Sequence, residues 1–426
     1  MLQLVNAGHK SLADYATIAT RGLMEEIRRL AAPLEGKRVI HLSATAFGGG
    51  VAEINYTLVP LMCSAGLDVE WRIIRGAEDF YNVTKTIHNA LQGNPHGLDE
   101  NQREIFRRYQ ELNARDFEDE YDFVVVHDPQ PVGLIDHFPS SNAHWIWRGH
   151  IDFSTPNTEV FDFLLPSIRR YDAAIFHMRD YVPRAEGLPP CYIWPPAIDP
   201  LAPKNMALSA EDAAYIVDQF GIDVGRPLLT QVSRFDPWKD PLGVIDSYRV
   251  VKEECPDVQL ALVGSMAHDD PEGWDYYNQT VAYSDGDPDV YILSNLNNVG
   301  SVEVNAFQVH SAAVIQKSIR EGFGLTVTEA LWKTRPTVAG RVGGIVAQIQ
   351  DGETGWLVSS PEECAQACLE ILQAPGDARQ RALRGKEYVR RHFLTPRLLR
   401  DWLVLFNRLL GNDTSGADLA VVSAAT

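Results

Sequence analysis

Short apolar runs recur along the chain, and most are followed by a stretch with helical periodicity. They are rich in Val, Ile and Leu and are bounded by turn residues, as in KRVIHLSAT at 37–45 and YDFVVVHDPQP at 121–131. Continuous apolar runs are typical of strands buried on both faces, and their alternation with helices predicts a parallel sheet covered on each side. The chain is therefore expected to be an α/β protein. The other predicted strands lie at 68–76, 143–152, 171–178, 227–235, 258–266, 290–295, 312–318 and 336–344.

The predicted strands form two series, separated by the Pro-rich passage PPCYIWPPAIDPLAPKN at 189–205. This passage is stiff and poor in helix formers, so it is expected to link two domains. A chain of 426 residues is also too long for one ordinary core. We expect two doubly wound, Rossmann-like domains with a cleft between them. Their bounds are 1–200 and 206–395, with the amphipathic helix at 396–411 packing back on the first domain and 412–426 forming a flexible tail.

Charge and composition limit the partners of the chain. Its formal net charge of −19 argues against non-specific binding to nucleic acid or to an anionic membrane. No apolar run reaches the roughly 20 residues that a membrane span requires, and the N-terminus lacks a signal-peptide pattern. The five cysteines are an odd number with no CxxC spacing, which favours reduced thiols. We therefore expect a cytoplasmic protein without nucleic-acid or membrane partners.

The first candidate binding segment is AFGGGVAE at 46–53, which joins a predicted strand to a helix. Ligands of open α/β sheets bind beyond the carboxyl ends of the strands, so such loops are where glycine and polar residues matter most. The N–H groups of Gly49, Gly50 and Val51 could approach an anion at the positive end of the helix. A tight turn that needs a positive φ explains the glycines equally well, so both interpretations remain open.

The second segment is VSRFDPWKD at 232–240, which follows the first strand of the second series. Arg234 could bind two oxygens of a diphosphate, and Lys239 could act as a point charge on the same group. The alternative is a solvated pair of cations offset by Asp236 and Asp240. For this segment alone, that alternative is the more frequent outcome.

The third segment is EGFGLTVTE at 321–329. Its Gly-Phe-Gly turn lets the loop pass close to a ligand, and the N–H groups of Leu325 and Thr326 would open the next helix towards a phosphate. The two carboxylates would then bind hydroxyl groups on either side of that phosphate, Glu329 those of a ribose and Glu321 those of a sugar. A helix N-terminus with acids nearby accounts for a single Glu, but it explains the Gly-x-Gly poorly.

Two weaker candidates lie at strand ends of the first series. WRGHID at 147–152 places His150 just beyond a strand, although a lone His is more often structural than catalytic. VHDPQP at 126–131 places Asp128 and Gln130 at another strand end, where both side chains suit hydroxyl recognition. A turn before Pro129 would explain Asp128 equally well.

Together these segments resemble the retaining glycosyltransferases of family four, which have the GT-B fold. EGFGLTVTE matches their Glu-x7-Glu signature, Arg234 and Lys239 match their Arg–Lys pair, and Gly49 and Gly50 match their N-terminal glycine loop. FGGGVAEINYTLVPLM, LVGSMAHDDPEGWDYY and QKSIREGFGLTVTEALWK are similar to the trehalose glycosyltransferring synthases within that family, and related trehalose phosphorylases share several such segments. The resemblance spans about residues 35–410. It departs at Gly149, where Cys is usual.

The resemblance implies a GT-B architecture in which two Rossmann-like domains face each other across a deep cleft. The N-terminal domain would bind the acceptor and the C-terminal domain the donor. The implied reaction is reversible transfer of glucose, with retention, from ADP-glucose or UDP-glucose to glucose, giving α,α-trehalose. The alternatives are a trehalose phosphorylase, which uses inorganic phosphate, and a non-catalytic protein that binds sugar nucleotides. An intact Glu329 favours the synthase, while the nucleotide, the direction in the cell and a homodimeric state stay open.

The resemblance also implies residue roles. Arg234 and Lys239 would stabilise the departing diphosphate, Glu321 would hold the glucose, and His150 would contact a hydroxyl of the donor sugar. The family needs no cofactor, no Asp-x-Asp metal clamp is evident, and HDD at 268–270 lies off the strand, so no metal is expected. The expected donor-binding residues are Gly49, Gly50, Val51, Gly264, Asn297, Val299, Gly322, Phe323, Gly324, Leu325, Thr326 and Glu329, and the expected acceptor-binding residues are Glu53, Asp128, Gln130 and Asp152.

Overall fold

A computed structural model describes residues 1–47, 49–118, 120–266 and 271–422. The chain divides into two compact units, one formed by Met1–Ala197 with Thr395–Thr426 and the other by Ile198–Leu394. Each unit has its own sheet, built mainly of parallel strands with helices between them. The α/β class expected from the sequence is confirmed. Elements are numbered below in chain order.

The sheet of the first unit has eight strands in the order β1-β3-β2-β4-β5-β6-β7-β14. All neighbours are parallel except β1 with β3 and β14 with β7. The order reverses between β2 and β4, so the loops that leave these two strands flank the switch point where ligands bind in such folds. The strands are β1 (Gln3–Leu4), β2 (Arg38–Ser43), β3 (Asp68–Ile73), β4 (Phe123–His127), β5 (His144–Arg148), β6 (Ala173–Phe176), β7 (Cys191–Ile193) and β14 (Ala420–Val422).

Helices cover both faces of this sheet, because its central strands bear apolar side chains on each side. On one face, Phe406 stacks on Phe123 of the sheet with ring centroids 4.2 Å apart. On the other, Trp147 packs edge-on against Phe153 and Phe176. The helices are α1 (Arg21–Ala31), α2 (Gly49–Ser64), α3 (Glu78–Leu91), α4 (Glu100–Arg115), α5 (Thr158–Ile168) and α13 (Thr395–Leu409), of which α1, α2 and α13 contribute to one apolar core and α3, α4 and α5 to the other.

The second unit is a six-stranded parallel sheet in the order β10-β9-β8-β11-β12-β13. Here the order reverses between β8 and β11. The strands are β8 (Leu228–Val232), β9 (Gln259–Val263), β10 (Val290–Leu293), β11 (Ala313–Gln316), β12 (Thr337–Gly340) and β13 (Trp356–Val358). The helices are α6 (Ala210–Asp218), α7 (Pro241–Glu254), α8 (Pro271–Tyr283), α9 (Ser301–His310), α10 (Leu325–Trp332), α11 (Pro361–Gln373) and α12 (Pro375–His392).

Every predicted strand is present, but the segments near the boundary of the units differ from expectation. The Pro-rich passage is not only a linker, because its buried residues Cys191 and Tyr192 form part of β7. The segment expected to be a flexible tail contributes β14, which pairs antiparallel with β7. Neither β7 nor β14 lies in an apolar run long enough to be predicted as a buried strand. Both complete an edge whose pairing depends on contacts between distant parts of the chain.

Candidate active site

The loops at the switch point of the second unit bring Lys239 and Glu321 together. Lys239 follows β8 and Glu321 follows β11, and the Lys239 Nζ lies 2.6 Å from the Glu321 Oε2. The Ser318 hydroxyl donates to the same oxygen at 3.1 Å. The two charged side chains are only 15% and 9% exposed. An ammonium and a carboxylate are therefore fixed at the position where a doubly wound fold binds its ligand.

Arg234 lies in the same loop as Lys239 but is largely exposed. Its side chain is 69% accessible, and its Nη2 is 3.3 Å from the Asp236 Oδ2. Arg234 is thus solvated and its charge is offset by Asp236, as the alternative interpretation of this segment expects. That interpretation does not hold for Lys239, because Asp240 instead pairs with Lys317 and caps α7 through the Gly243 N–H at 3.1 Å. The Arg234 guanidinium can reorient towards a bound anion with little loss of protein contacts.

The Gly-Phe-Gly turn has a conformation that only glycine adopts readily at its last position. Gly324 has a φ of 79°, in the left-handed region. A Cβ built there would lie 3.1 Å from the Glu321 Cγ and 3.3 Å from Ile345. Gly322 has open space around its Cα, and the Phe323 side chain is buried. The backbone therefore passes directly behind the Glu321 carboxylate.

A buried glutamine holds this turn in place. The Gln348 side-chain amide donates to the carbonyls of Phe323 and Gly324, and its oxygen accepts from the Thr328 hydroxyl. Three segments of the site are thus tied together by one fully buried residue. Gln348 was not among the residues expected from the sequence. Its only signal was a polar side chain inside the apolar run GGIVAQIQ.

Helix α10 begins where the turn ends. Its N-cap is Gly324, which has no side chain to accept from the first N–H groups. Leu325 and Thr326 form the first turn and are half-buried. The first N–H groups of a helix have no partner within the helix, so an anion bound here would meet two amides and the positive end of the dipole.

Glu329, on the same helix, is almost completely buried. Its side chain is 1% exposed, and its Oε1 lies 3.0 Å from the Lys204 Nζ. The other oxygen, Oε2, has no hydrogen-bond partner. Leaving a buried carboxylate oxygen unsatisfied is costly unless a ligand supplies donors. A pair of hydroxyl groups would do so, which fits the ribose role expected from the sequence. Lys204 was not anticipated.

Three of the expected donor-binding residues, Gly264, Asn297 and Val299, pack within their own loops. The Asn297 Oδ1 accepts from the Ser294 N–H at 3.0 Å, and Val299 is buried. At Gly264, a Cβ would meet the ring of Phe235 at 2.4 Å and the carbonyl of Ser233 at 2.8 Å, so close packing requires a glycine there. Any contact with a base would therefore come from the backbone, and the donor role of these residues stays a prediction.

The glycine loop of the first unit leads directly into α2. Gly49 has a φ of 78°, yet a Cβ at that position would meet nothing within 4 Å, so the tight-turn interpretation accounts for this glycine. Gly50 is exposed and Val51 is half-buried. Glu53 lies on the next part of α2 with an exposed side chain. The structure is compatible with contact to a ligand, which stays a prediction for these four residues.

Beside this loop lies a cavity of about 600 Å³ within the first unit. Gln130 lines it, and the Gln130 Oε1 is buried without a hydrogen-bond partner. Phe47, which is 79% exposed, forms part of the rim. Gln130 was expected from the sequence, but other residues around the cavity were not, among them Phe47, Tyr81, Thr84, Lys85 and His88. An unsatisfied amide oxygen and an exposed aromatic ring suit a sugar-sized molecule.

Asp128 and His150 contact each other at neighbouring strand ends. The backbone N–H of His150 donates to the Asp128 Oδ1 at 2.8 Å, and the Asp128 backbone has a φ of 63°. Burial raises the pKa of Asp128 to about 7, against the opposite effects of the His150 N–H and the Arg148 charge. Asp152, by contrast, accepts from the Ser154 N–H at 2.8 Å and forms a local turn, so its acceptor role stays a prediction.

His150 is the end of a chain of three imidazoles. Its Nε2 lies 2.8 Å from the Nδ1 of His127, whose Nε2 lies 2.9 Å from the Nδ1 of His41. Neighbouring rings are stacked with centroids 5.1 and 5.2 Å apart. Burial, with the charge of Arg148, lowers the pKa of all three, to about 3 for His41. The rings are therefore neutral, and His150 is not the lone histidine that its sequence context indicated.

The described residues bear on two further possibilities, a metal site and a membrane span. Within them, no group of three His, Cys, Asp or Glu side chains could hold a metal ion. The segment at 268–270, considered above, lies outside the described residues. None of the described helices combines the length and apolar character needed to cross a bilayer.

Two protein-family models match this chain. The model for the N-terminal domain of trehalose synthase covers residues 41–183, and the model for glycosyl transferases group 1 covers residues 214–388. Trehalose synthase from Rubrobacter xylanophilus is 59% identical over 417 residues, which are 96% of this chain and 100% of the relative. This chain belongs to the trehalose synthase family.

Other relatives extend the comparison. Trehalose synthase from Pyrococcus horikoshii is 44% identical over 408 residues, covering 95% of this chain and 98% of the relative. Trehalose phosphorylase from Pleurotus pulmonarius is 28% identical over 419 residues, covering 85% of this chain but 56% of that protein. The resemblance stated from the motifs is confirmed, and the chain is a glycosyltransferase of the trehalose synthase family.

Solved structures confirm the fold. An α,α-trehalose-phosphate synthase (UDP-forming) from Burkholderia xenovorans, in complex with glucose-6-phosphate, has a TM-score of 0.69 at 15% identity and covers 88% of this chain and 100% of that chain. A sucrose-phosphate synthase from Thermosynechococcus elongatus has a TM-score of 0.66 at 17% identity, with 88% and 99% covered. At such identities the likeness shows the fold alone, which is the GT-B fold expected from the sequence.

Proposed function

We propose that this member of the trehalose synthase family is a retaining glucosyltransferase. It would make α,α-trehalose from a nucleotide-diphosphate glucose and D-glucose, and it would also run in reverse. The observation that carries the proposal is the buried pair of Lys239 and Glu321 beside the start of α10. This arrangement offers a cation and helix amides to a phosphate, and a carboxylate to sugar hydroxyls, at one place.

The donor chemistry follows from this arrangement. The bond between the anomeric carbon of glucose and the diphosphate breaks, so negative charge grows on the leaving oxygen. Lys239, Arg234 and the first N–H groups of α10 would stabilise that charge without large rearrangement. Glu321 would accept hydrogen bonds from hydroxyls of the glucose. The carboxylate that now pairs with Lys239 would thus be shared between the lysine and the sugar.

Glu329 supports a nucleotide donor in place of inorganic phosphate. Its Oε2 is buried and has no partner, so donor groups of a ligand are needed to satisfy it. Inorganic phosphate has no ribose and would leave this oxygen unsatisfied. This favours the synthase reaction over that of the related phosphorylase. The backbone of the loop that contains Asn297 would read the base.

On the acceptor side, the proposal uses Asp128, Gln130 and the 600 Å³ cavity. A bond would form between the anomeric carbon and the acceptor oxygen, and the acceptor proton would pass to an oxygen of the leaving phosphate. Retention by this route follows from the family resemblance. His150 is neutral, so it would serve as a hydrogen-bonding group to a hydroxyl of the donor sugar rather than as a fixed cation.

The decisive experiment compares product formation from two substrate sets. ADP-glucose or UDP-glucose with glucose is expected to give trehalose, and trehalose with the matching nucleoside diphosphate is expected to regenerate the nucleotide sugar. Trehalose with inorganic phosphate is the control arm. Formation of glucose 1-phosphate in that arm, with no reaction of either nucleotide sugar, would identify a phosphorylase.

The same assay tests the non-catalytic alternative. Glu321→Ala is expected to abolish most turnover while the protein still binds nucleotide. Turnover that is unchanged in both Glu321→Ala and Arg234→Ala would overturn the catalytic assignment.

We further propose that the protein acts in the cytoplasm on small sugars and a nucleotide sugar, without a cofactor. All five cysteines are free thiols, which supports a reducing compartment. A homodimer is the assembly state to test. Light scattering during gel filtration distinguishes it from a monomer.

A further inference from the structure

A second cavity, of about 800 Å³, lies within the second unit on the side away from the loops of the candidate active site. Its lining includes residues 226–228, 311–312 and 335–336, which immediately precede or begin β8, β11 and β12. The loops of Lys239 and Glu321 leave the carboxyl ends of β8 and β11, whereas this cavity meets the amino ends. It is therefore a separate feature of the same sheet.

The lining of this cavity is basic. It contains Arg226, His310, Lys333, Arg335 and Arg379 and no Asp or Glu, although the chain as a whole carries a net charge of −19. We call it the basic cavity. A cation-rich concavity in an acidic protein concentrates anions locally, because the surrounding acids do not reach into it.

Two of these cations are already engaged. Arg226 pairs with Asp289 at 2.7 Å. The Lys333 ammonium donates to Gln308 at 2.7 Å and to Asn205 at 3.0 Å, and burial lowers the pKa of Lys333 to about 8. Burial and the charge of Arg335 also lower the pKa of His310, which keeps that ring neutral at pH 7. Arg335 and Arg379 are the remaining charges.

Arg335 and Arg379 lack carboxylate partners within the part of the chain that the structure describes, where no acidic oxygen lies within 4.0 Å of either guanidinium. The Arg335 Nε is buried with no hydrogen-bond partner, and its Nη1 reaches the Ser311 carbonyl only at 3.5 Å. Burial and the neighbouring charge of Arg379 lower the pKa of Arg335. Arg379 is exposed, so only Arg335 has an unsatisfied buried donor. An anion bound between the two guanidinium groups would offset their repulsion and accept from that donor.

Helix α12 adds to this potential. Pro375 and Gly376, at the start of this 18-residue helix, line the basic cavity. The N-cap is Ala374, which makes no side-chain capping bond, so the first N–H groups are not satisfied by the cap. Asp377 in the first turn offsets part of the dipole but does not line the cavity. Apolar surface from Leu372 and Leu383 borders the same space.

We propose that the basic cavity binds a small molecule that carries a phosphate group. Arg335 and Arg379 hold the phosphate, the start of α12 adds its amides, and Leu372 and Leu383 accommodate an uncharged remainder. Helix α10 connects this site with the candidate active site, because Glu329 lies on it and Lys333 and Arg335 follow its end.

The test is calorimetric titration of the full chain with inorganic phosphate and with glycerol 3-phosphate. The titrations use a protein with Arg234→Ala and Lys239→Ala, which is called the host below. These two substitutions remove the expected phosphate contacts of the active site. Saturable binding with one ligand per chain is expected. Arg379→Gln in this host should weaken it at least about tenfold, since a hydrogen bond to a charged group is lost.

The matched control is Arg391→Gln, which removes the same charge near the other end of α12 from an exposed pair with Glu387. It should leave the affinity unchanged. Tighter binding of glycerol 3-phosphate would identify a phosphate ester as the ligand class, and equal binding would identify free phosphate. The proposal would be overturned by no saturable binding in the host, or by an affinity that stays at the host's value in both the Arg379→Gln and the Arg335→Gln proteins.

Discussion

At the scale of single residues, Lys239 and Glu321 are the pair on which the proposed chemistry rests. Their separation of 2.6 Å and low exposure mean that each holds the other in a partly desolvated place. Removing one leaves the other as an uncompensated charge, so single substitutions report on the pair rather than on one contact. A double-mutant comparison is therefore needed to apportion its effect.

Lys239→Ala is expected to lower kcat by about 100-fold or more, because a preorganised group at the developing phosphate charge is lost. Glu321→Gln should lower kcat substantially too, and the double variant should be less impaired than the product of the single effects. Steady-state kinetics with the active nucleotide sugar measures all three. Lys37→Ala is the control, since it removes another Lys–carboxylate pair, the more exposed Lys37–Asp122 pair at 2.8 Å, which lies at the amino end of β2. A similar loss in that variant would contradict the assignment.

Asp128 makes the free energy of unfolding depend on pH. Its pKa in the folded protein is about 7, above its ordinary value of about 4, so the folded state binds more protons between these pH values. The buried carboxyl is tolerated in its neutral form at low pH. As the pH rises towards 7 the carboxyl must ionise, and the free energy of unfolding therefore falls. The wild type should therefore lose stability relative to Asp128→Asn between pH 5 and pH 7 and change little above pH 8. Thermal melts of both proteins across this range measure the difference, and a constant difference would contradict the raised pKa.

The histidine chain makes His127 a positioning residue. The His41 Nε2 is buried without a partner, and a buried N–H without an acceptor is rarer than an unsatisfied acceptor. His41 and His127 therefore both carry their proton on Nδ1, and His150 also keeps its proton on Nδ1. His127→Phe removes this constraint and should lower kcat by about tenfold with little change in KM. Nitrogen chemical shifts of His150 should show a change of tautomer, whereas the exposed-site control His96→Ala should change neither.

At the scale of elements, the turn before α10 depends on a backbone conformation that favours glycine. Gly324 sits at a φ of 79° with the Glu321 Cγ only 3.1 Å from where a Cβ would be. Gly324→Ala is expected to destabilise the protein by about 1–2 kcal/mol and to displace Glu321, which lowers activity. Gly322→Ala is the matched control for stability, because its φ is not positive and nothing lies within 4 Å. Urea unfolding of both variants measures the difference, and equal stability would show that the turn carries no strain.

The sequence predicted those parts of the molecule that depend on local pattern. Strands such as β4 and β8 were found because apolar runs identify buried parallel strands, and Lys239 and Glu321 were found because their loops follow such strands. Gln348, Lys204 and the partners of His150 were missed. Their roles depend on contacts between segments that are far apart in the chain, and no local spacing encodes those contacts. β7 was missed because its flanking prolines indicate a linker.

At the scale of the whole molecule, each unit is compact in itself, and the first is built from both ends of the chain. Helix α13 supplies Trp402 and Phe406 to the core of the first unit, where both are fully buried. The following segment is held by Arg400, which donates to the Asp418 carbonyl at 2.8 Å, and by Arg408, which donates to the Ala417 carbonyl at 3.0 Å. Stability of the first unit therefore depends on residues that follow the second unit in sequence.

Deleting residues 412–426 tests this dependence. The deletion removes β14 and its antiparallel pairing with β7, and with it the buried side chain of Ala417. Loss of a few net hydrogen bonds and this contact should cost about 2–3 kcal/mol, confined to the first unit. Hydrogen exchange read peptide by peptide should speed up in β7 and around α13 while β8 and β11 keep their protection. Faster exchange throughout the second unit as well would mean that the two units do not unfold independently. Unchanged exchange in β7 would mean that β14 adds no stability to the edge on which it lies.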